Sequence, residues 1–170
     1  MSHTKNKVDW CLRKAEKELK ETGKHRGLLI TKENAEKSKE YIKKAEHNLK
    51  LLMHLKNNNF SDWCGPAAFY SVYHCLLAIL SKFGYESRNQ ECTFATIYYL
   101  IENKKINLDK SMVEKVAAFD VKNNMEISTI IEIREQYQYG TKLSLEDKTY
   151  EYLLSIVKKI LGKTKEIIEG

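Results

Sequence analysis

Residues 61–70 read SDWCGPAAFY and place Cys64 just ahead of Gly65, Pro66 and an apolar run. A thiol at the start of a helix is the geometry in which a thiolate is stabilised. Nucleophilic chemistry there needs a base within hydrogen-bond reach, usually histidine. The histidines are His3, His25, His47, His54 and His74, and none follows residue 74. His74 lies ten positions along the same helical pattern, about 15 Å from Cys64 at the rise of an α-helix. His47 or His54 can approach only from the preceding helix. The same stretch is also good helix-start chemistry, with Ser61 or Asp62 as cap and Pro66 at an early position that needs no N–H. Cys64 therefore reads as a packing residue.

Other clusters carry binding chemistry. Arg88, Asn89, Gln90 and Glu91 form the densest polar group beside the apolar helix, and two readings are open. Together they make a pocket for phosphate or base edges, or Asn89 caps the next helix with Gln90 and Glu91 in its first turn and Arg88 paired to a carboxylate. Lys24, His25 and Arg26 beside Gly27 make a basic knuckle that can grip phosphate or simply form a solvated turn. Arg134, Gln136, Tyr137 and Tyr139 mix cation and aromatic as nucleic-acid readers do, although tyrosines at helical spacing also serve as half-buried packing. His74, amid apolar residues, reads as a hydrogen-bonded core histidine. No spacing of Cys and His suggests a metal site, and no cofactor is expected.

The elements that position these residues follow from composition. The 170-residue chain has a single proline and seven glycines, with 31% charged residues. So few chain breakers among so much Lys, Glu, Leu and Ile predict an all-α protein, one domain with a real core. No stretch reads as a membrane span, and the start MSHTKNKVDW lacks the apolar core of a signal peptide. A cytoplasmic protein with reduced, buried thiols at Cys11, Cys64, Cys75 and Cys92 is the expectation. The net charge of +6 is uneven: residues 1–59 hold 15 Lys and Arg against 8 Asp and Glu, whereas residues 60–170 hold 14 against 15. A basic N-terminal third attracts phosphate backbones or acidic partners, unless it is a merely lysine-rich solvated hairpin.

Periodicity predicts helices over residues 5–22, stopped by Gly23, and from about Thr31 to Leu55. A third, apolar nearly all round, runs from Ala67 to Phe83 and belongs in the middle of a bundle. A polar loop at 85–91 leads to a short helix from Cys92 to Ile101. Asp109 or Ser111 opens a fifth through about Phe119. Residues 127–138 fit helix or strand by pattern and are assigned to helix, and Leu143–Ile168 forms a long last helix. The sum is an antiparallel up-and-down bundle of four to five core helices.

The stretches YIKKAEHNLKLLMHL, DWCGPAAFYSVYHCLLAILSKFGYESRNQECT and REQYQYG, in that order, resemble the helices of a HEPN domain (higher eukaryotes and prokaryotes nucleotide-binding). The resemblance covers residues 41–170 as the core bundle, with residues 1–40 similar to an N-terminal helical extension of archaeal-type members. It implies a homodimer that binds RNA or a nucleotide, often a toxin paired with a small nucleotidyltransferase. Active members are metal-independent ribonucleases that use an arginine followed four to six residues later by a histidine. Arg88 aligns with that arginine, but Thr93, Phe94 and Ala95 stand where the histidine belongs. The family's catalytic pair is thus incomplete. The nucleotide-contact set is Arg88, Asn89, Gln90, Glu91, Arg134, Tyr137, Lys24, His25 and Arg26, with Arg88 foremost. The other reading is a non-enzymatic helical dimer that mediates protein association.

Overall fold

The computed structural model describes residues 2–117 and 128–170. Helix α1 spans His3–Thr22, strand β1 Leu28–Ile30 and helix α2 Ala35–Asn57. A 3₁₀ turn at Ser61–Trp63 leads into α3, Cys64–Lys82. Strand β2 is Tyr85–Ser87, followed by α4 at Gln90–Glu102 and α5 at Lys110–Glu114. Helices α6, Ile130–Tyr139, and α7, Asp147–Glu169, complete the fold. It is an all-α bundle with one small two-stranded sheet.

Helix α3 is the hub. Fifteen of its residues are buried, from Cys64 to Ser81, and it packs against α2, α7, α6, α4 and β2. By length and composition Ser61–Lys82 could cross a membrane, contrary to the expectation from sequence, yet 83% of its most apolar window is buried inside the bundle. Its apolarity is that of a core helix.

Helices α2 and α3 form a close antiparallel hairpin. The Ser38 hydroxyl donates to the Ala78 carbonyl, Ser71 donates to Ala45 at 2.8 Å, and the Cys64 thiol lies 3.6 Å from the Leu52 carbonyl. Positions 38, 45 and 52 thus face 78, 71 and 64, one seven-residue step at a time on both helices. Small side chains at this seam let the backbones approach, and a heptad step keeps the register.

Four expectations change. Residues near Leu28 and Tyr85 form strands, paired antiparallel with Leu28 opposite Ser87, Leu29 opposite Glu86 and Ile30 opposite Tyr85. Three-residue strands give no period to read. Helix α2 accordingly starts at Ala35, capped by the Asn34 side chain, and not near Thr31. Neither Ser61 nor Asp62 caps α3, which has no side-chain cap. Instead the Ser61 hydroxyl accepts the Leu145 N–H at 2.9 Å and fastens the segment before α7. Finally, Cys11 and Cys92 are joined as a disulfide between α1 and α4, while Cys64 and Cys75 are free and buried. The pairing links residues 81 apart, invisible to any local spacing rule.

The fifth helix ends at Glu114, short of the expected extent to Phe119, and the sixth starts at Ile130 after its cap Thr129, while residues 119 and 127 themselves lie outside the described residues. Residues 130–139 are helical, with Thr129 and Glu132 forming a reciprocal capping box that strand would not use. The last helix begins at Asp147, four residues later than the pattern suggested.

Candidate nucleic-acid interface

The β1–β2 hairpin places Arg88. Gly84, with φ of 72°, allows the turn out of α3, and a Cβ there would sit 2.9 Å from the Thr31 carbonyl. Thr31 donates its N–H to the Gly84 carbonyl at 2.8 Å, and the Arg88 N–H donates to the Gly27 carbonyl at 2.9 Å. The Arg88 Nε donates to Glu86 Oε1 at 2.9 Å, and the His25 ring reaches the same oxygen at 3.2 Å. Gly27 N–H points at His25 Nδ1 at 3.4 Å, so the ring proton sits on Nε2 and is donated to Glu86. His25 is buried, whereas the Glu86 and Arg88 side chains are 42% and 57% exposed. His25 holds Glu86 from beneath, and Glu86 orients the guanidinium above it.

That guanidinium edges a cavity of about 590 Å³ between the hairpin, the start of α2 and the end of α3. Lys32, Lys37 and Arg88 bring cations to it from three separate segments, with Tyr41 and Ser81 on its wall and Glu86 the one acid among the described residues of its lining. The Lys37 ammonium lies 5.4 Å over the Tyr41 ring. Its ion pair with Glu40, at 3.1 Å, holds its pKa above the usual value. The cavity also includes Asn34 at the positive end of α2. Converging lysine and arginine beside an aromatic face suit a phosphate with an attached base.

The sequence profile of the HEPN domain matches residues 38–167. The chain belongs to the HEPN family. No curated protein matches it. Helix α1 and strand β1 precede the matched HEPN region, so β1, which supports Arg88, comes from outside it.

Within this HEPN fold the other candidates separate. Asn89 caps α4, its side chain accepting the Cys92 N–H at 2.9 Å. Gln90 and Glu91 turn away from Arg88 to a second cavity of about 460 Å³ shared with His3, Lys7 and Tyr98, and Glu91 pairs with Lys7. Lys24 and Arg26 are exposed, while His25 between them is the buried partner of Glu86. Arg134 is drawn inward: its guanidinium lies 4.2 Å over the Phe69 ring, its side chain is 15% exposed, and its buried Nε has no hydrogen-bond partner among the described residues. Tyr137 packs half-buried on the core and, with Gln136, lines a separate cavity of about 510 Å³. Tyr139 is exposed.

The cysteine nucleophile finds no support. Burial pushes the Cys64 thiol up to about 11, the opposite of what thiolate chemistry needs. His74 is half-buried, and burial, helped by the Lys44 charge, lowers its pKa from the usual value, while the bond to the Tyr70 carbonyl opposes this. Lys32, Lys37 and Tyr41 were missed as partners of Arg88. For Lys37 and Tyr41 the signal was a polar and aromatic stripe on α2, Lys37, Tyr41, Lys44 and Asn48, running beside its apolar one.

Proposed function

We propose that this HEPN protein binds RNA or a nucleotide by its phosphate at the Arg88 cavity. The observation that carries the reading is the convergence of Lys32, Lys37 and Arg88 on one concave site beside Tyr41. The HEPN family is a nucleotide- and RNA-related one, and a basic N-terminal third suits such a ligand. Among the described residues the lining of this cavity holds no histidine. His25, close by, has Nε2 on Glu86 and Nδ1 on Gly27. Binding without cleavage is therefore the reading favoured here.

The rest of the proposal is a cytoplasmic homodimer of the toxin-like kind with a small nucleotidyltransferase as partner, the archaeal-type extension being α1 and β1. The test is RNA affinity and RNA cleavage, with and without EDTA, for the wild type and Arg88→Ala. Wild-type binding weakened about tenfold or more by the substitution, with no cleavage, is expected for a lost charge-assisted phosphate contact. Equal affinities for the two proteins would overturn the site.

A further inference from the structure

The Arg88 cavity does not end at Tyr41. On α2 the positions Lys37, Tyr41, Lys44, Asn48 and Leu51 follow one another by three or four residues, so they share one face. On α3, Ser81, Leu77, His74, Tyr70 and Ala67 do the same in the opposite direction, and Trp63 stands in the 3₁₀ turn just ahead of the helix. The first members of both rows line the Arg88 cavity, and the last members line a second hollow of about 370 Å³ with Lys44, Asn48, Pro66 and His74. The two hollows are joined by rings. Tyr41 lies 6.1 Å from His74, and His74 lies 6.5 Å from Tyr70. From Lys37 to Leu55 the groove runs about 27 Å at the helical rise.

Its chemistry shifts along the way, from the polar, cation-rich Arg88 end to an apolar hollow around Trp63 and Tyr70. Trp63 and Tyr70 are 52% and 50% exposed, unusual for such large rings. Cations stand along the groove at Arg88, Lys32, Lys37 and Lys44, and Glu86, engaged by His25 and Arg88, is the one acid among the described residues of either lining. The His74 Nδ1 sits 2.6 Å from the Tyr70 carbonyl and 3.2 Å from the Asn48 side-chain nitrogen, and a proton on Nδ1 serves the shorter contact and leaves Nε2 a lone pair. Exposed rings interleaved with lysines, and one neutral acceptor, form a stacking platform along a backbone track.

We infer that the α2–α3 groove from Arg88 to Trp63 is a track for single-stranded nucleic acid, in which Trp63 and Tyr70 stack unpaired bases and Lys44, on the Arg88 side of Tyr70, meets the backbone. The inference rests on the phosphate reading of the Arg88 cavity and decides between its two ligands, an oligonucleotide rather than a mononucleotide. A stacked strand rises about 3.4 Å per nucleotide, so the groove holds at most about eight. Charge complementarity favours nucleic acid over the apolar side of a protein partner, which would offer nothing to Lys32 and Lys44, while Arg88 and Lys37 already pair with Glu86 and Glu40.

The sequence has two tryptophans, Trp10 and Trp63. In Trp10→Phe the remaining indole, Trp63, reports on the groove by its fluorescence. The titrants are uridine monophosphate, oligouridylates of increasing length to about eight nucleotides, and a blunt RNA duplex. Expected are affinity that rises with length before it levels off, quenching of Trp63 by the longer strands, and weaker binding of the duplex. Tyr70→Ala and Trp63→Ala should each weaken the longest strand roughly 5- to 150-fold, and Tyr70→Phe should not. Both side chains are half exposed, and a thermal melt of each variant checks that it folds.

If affinity is independent of length and Trp63 is not quenched, while Arg88→Ala still abolishes binding, the track is wrong and the phosphate site stands. If no titrant binds at all, both fall. If Trp63→Ala and Tyr70→Ala alter the sedimenting mass and leave RNA affinity intact, the face is a protein interface and the track is overturned.

Discussion

His74 shows how much a single side chain takes from its surroundings. Burial is the largest influence on it and Lys44 the main charge facing it, both against the imidazolium, with the rings of Tyr41, Tyr70 and Tyr73 around it. The folded chain therefore binds this proton less tightly than the unfolded chain. Stability from this group is intact above the usual pKa of 6.5 and is lost as pH falls below it toward the lowered folded value. His74→Gln should melt with a flatter dependence on pH between neutrality and about pH 5 than the wild type. Parallel curves would show that His74 is not the group that titrates. Arg134 makes the opposite case, a cation drawn inward with its Nε unpaired over Phe69. An unsatisfied buried donor costs about 1–3 kcal/mol. Arg134→Met keeps the packing on Phe69 and removes that cost, so its melting temperature should equal or exceed that of the wild type. A fall of several degrees would mean that the guanidinium is a net stabiliser.

Among the elements, α1 depends most on a contact that the sequence conceals. Its apolar stripe of Val8, Cys11 and Ala15 was readable from period alone, as were the helical extents of α2, α3 and α7 to within a few residues. What the stripe met was not. Cys11 joins Cys92, and Gly27 brings β1 so close that an added Cβ would stand 3.0 Å from the Cys11 carbonyl. Such pairings are set by tertiary approach, which is why Lys32 and Tyr41 could not be assigned to Arg88 beforehand, while Asn89 could be recognised as a cap from its neighbours alone. The disulfide closes a loop of about 80 residues, which in the chain-entropy description stabilises by about 4.5 kcal/mol. Thiol titration of the unfolded, unreduced protein should find two thiols, and four after a dithiol reductant. Reduction should lower the urea midpoint substantially, and Cys92→Ser should reproduce that shift. Four thiols without reductant would dissolve the link between α1 and α4.

At the scale of the molecule, the question is whether the charge of the N-terminal third acts as a diffuse field or through the few cations the fold gathers. Some of its lysines are spent locally, Lys5 on Asp9 and Lys17 on Glu21. Others, Lys32 and Lys44, stand with Arg88 along one groove. If the groove cations do the binding, each phosphate neutralised on a single strand contributes about −0.7 to the slope of log affinity against log salt. Three or four contacts then give a slope of about −2 to −3. Arg88→Ala should make it shallower by about 0.7, and Lys44→Ala by a similar step for the longer strands only. Lys17→Ala, on the exposed side of α1, should leave the slope unchanged. A diffuse field predicts instead that all three substitutions weaken binding alike and that none changes the slope by a full contact. The comparison of Lys44 with Lys17 is the sharper one, because both are lysines of the same basic third, one lining the groove and the other paired to Glu21 on α1.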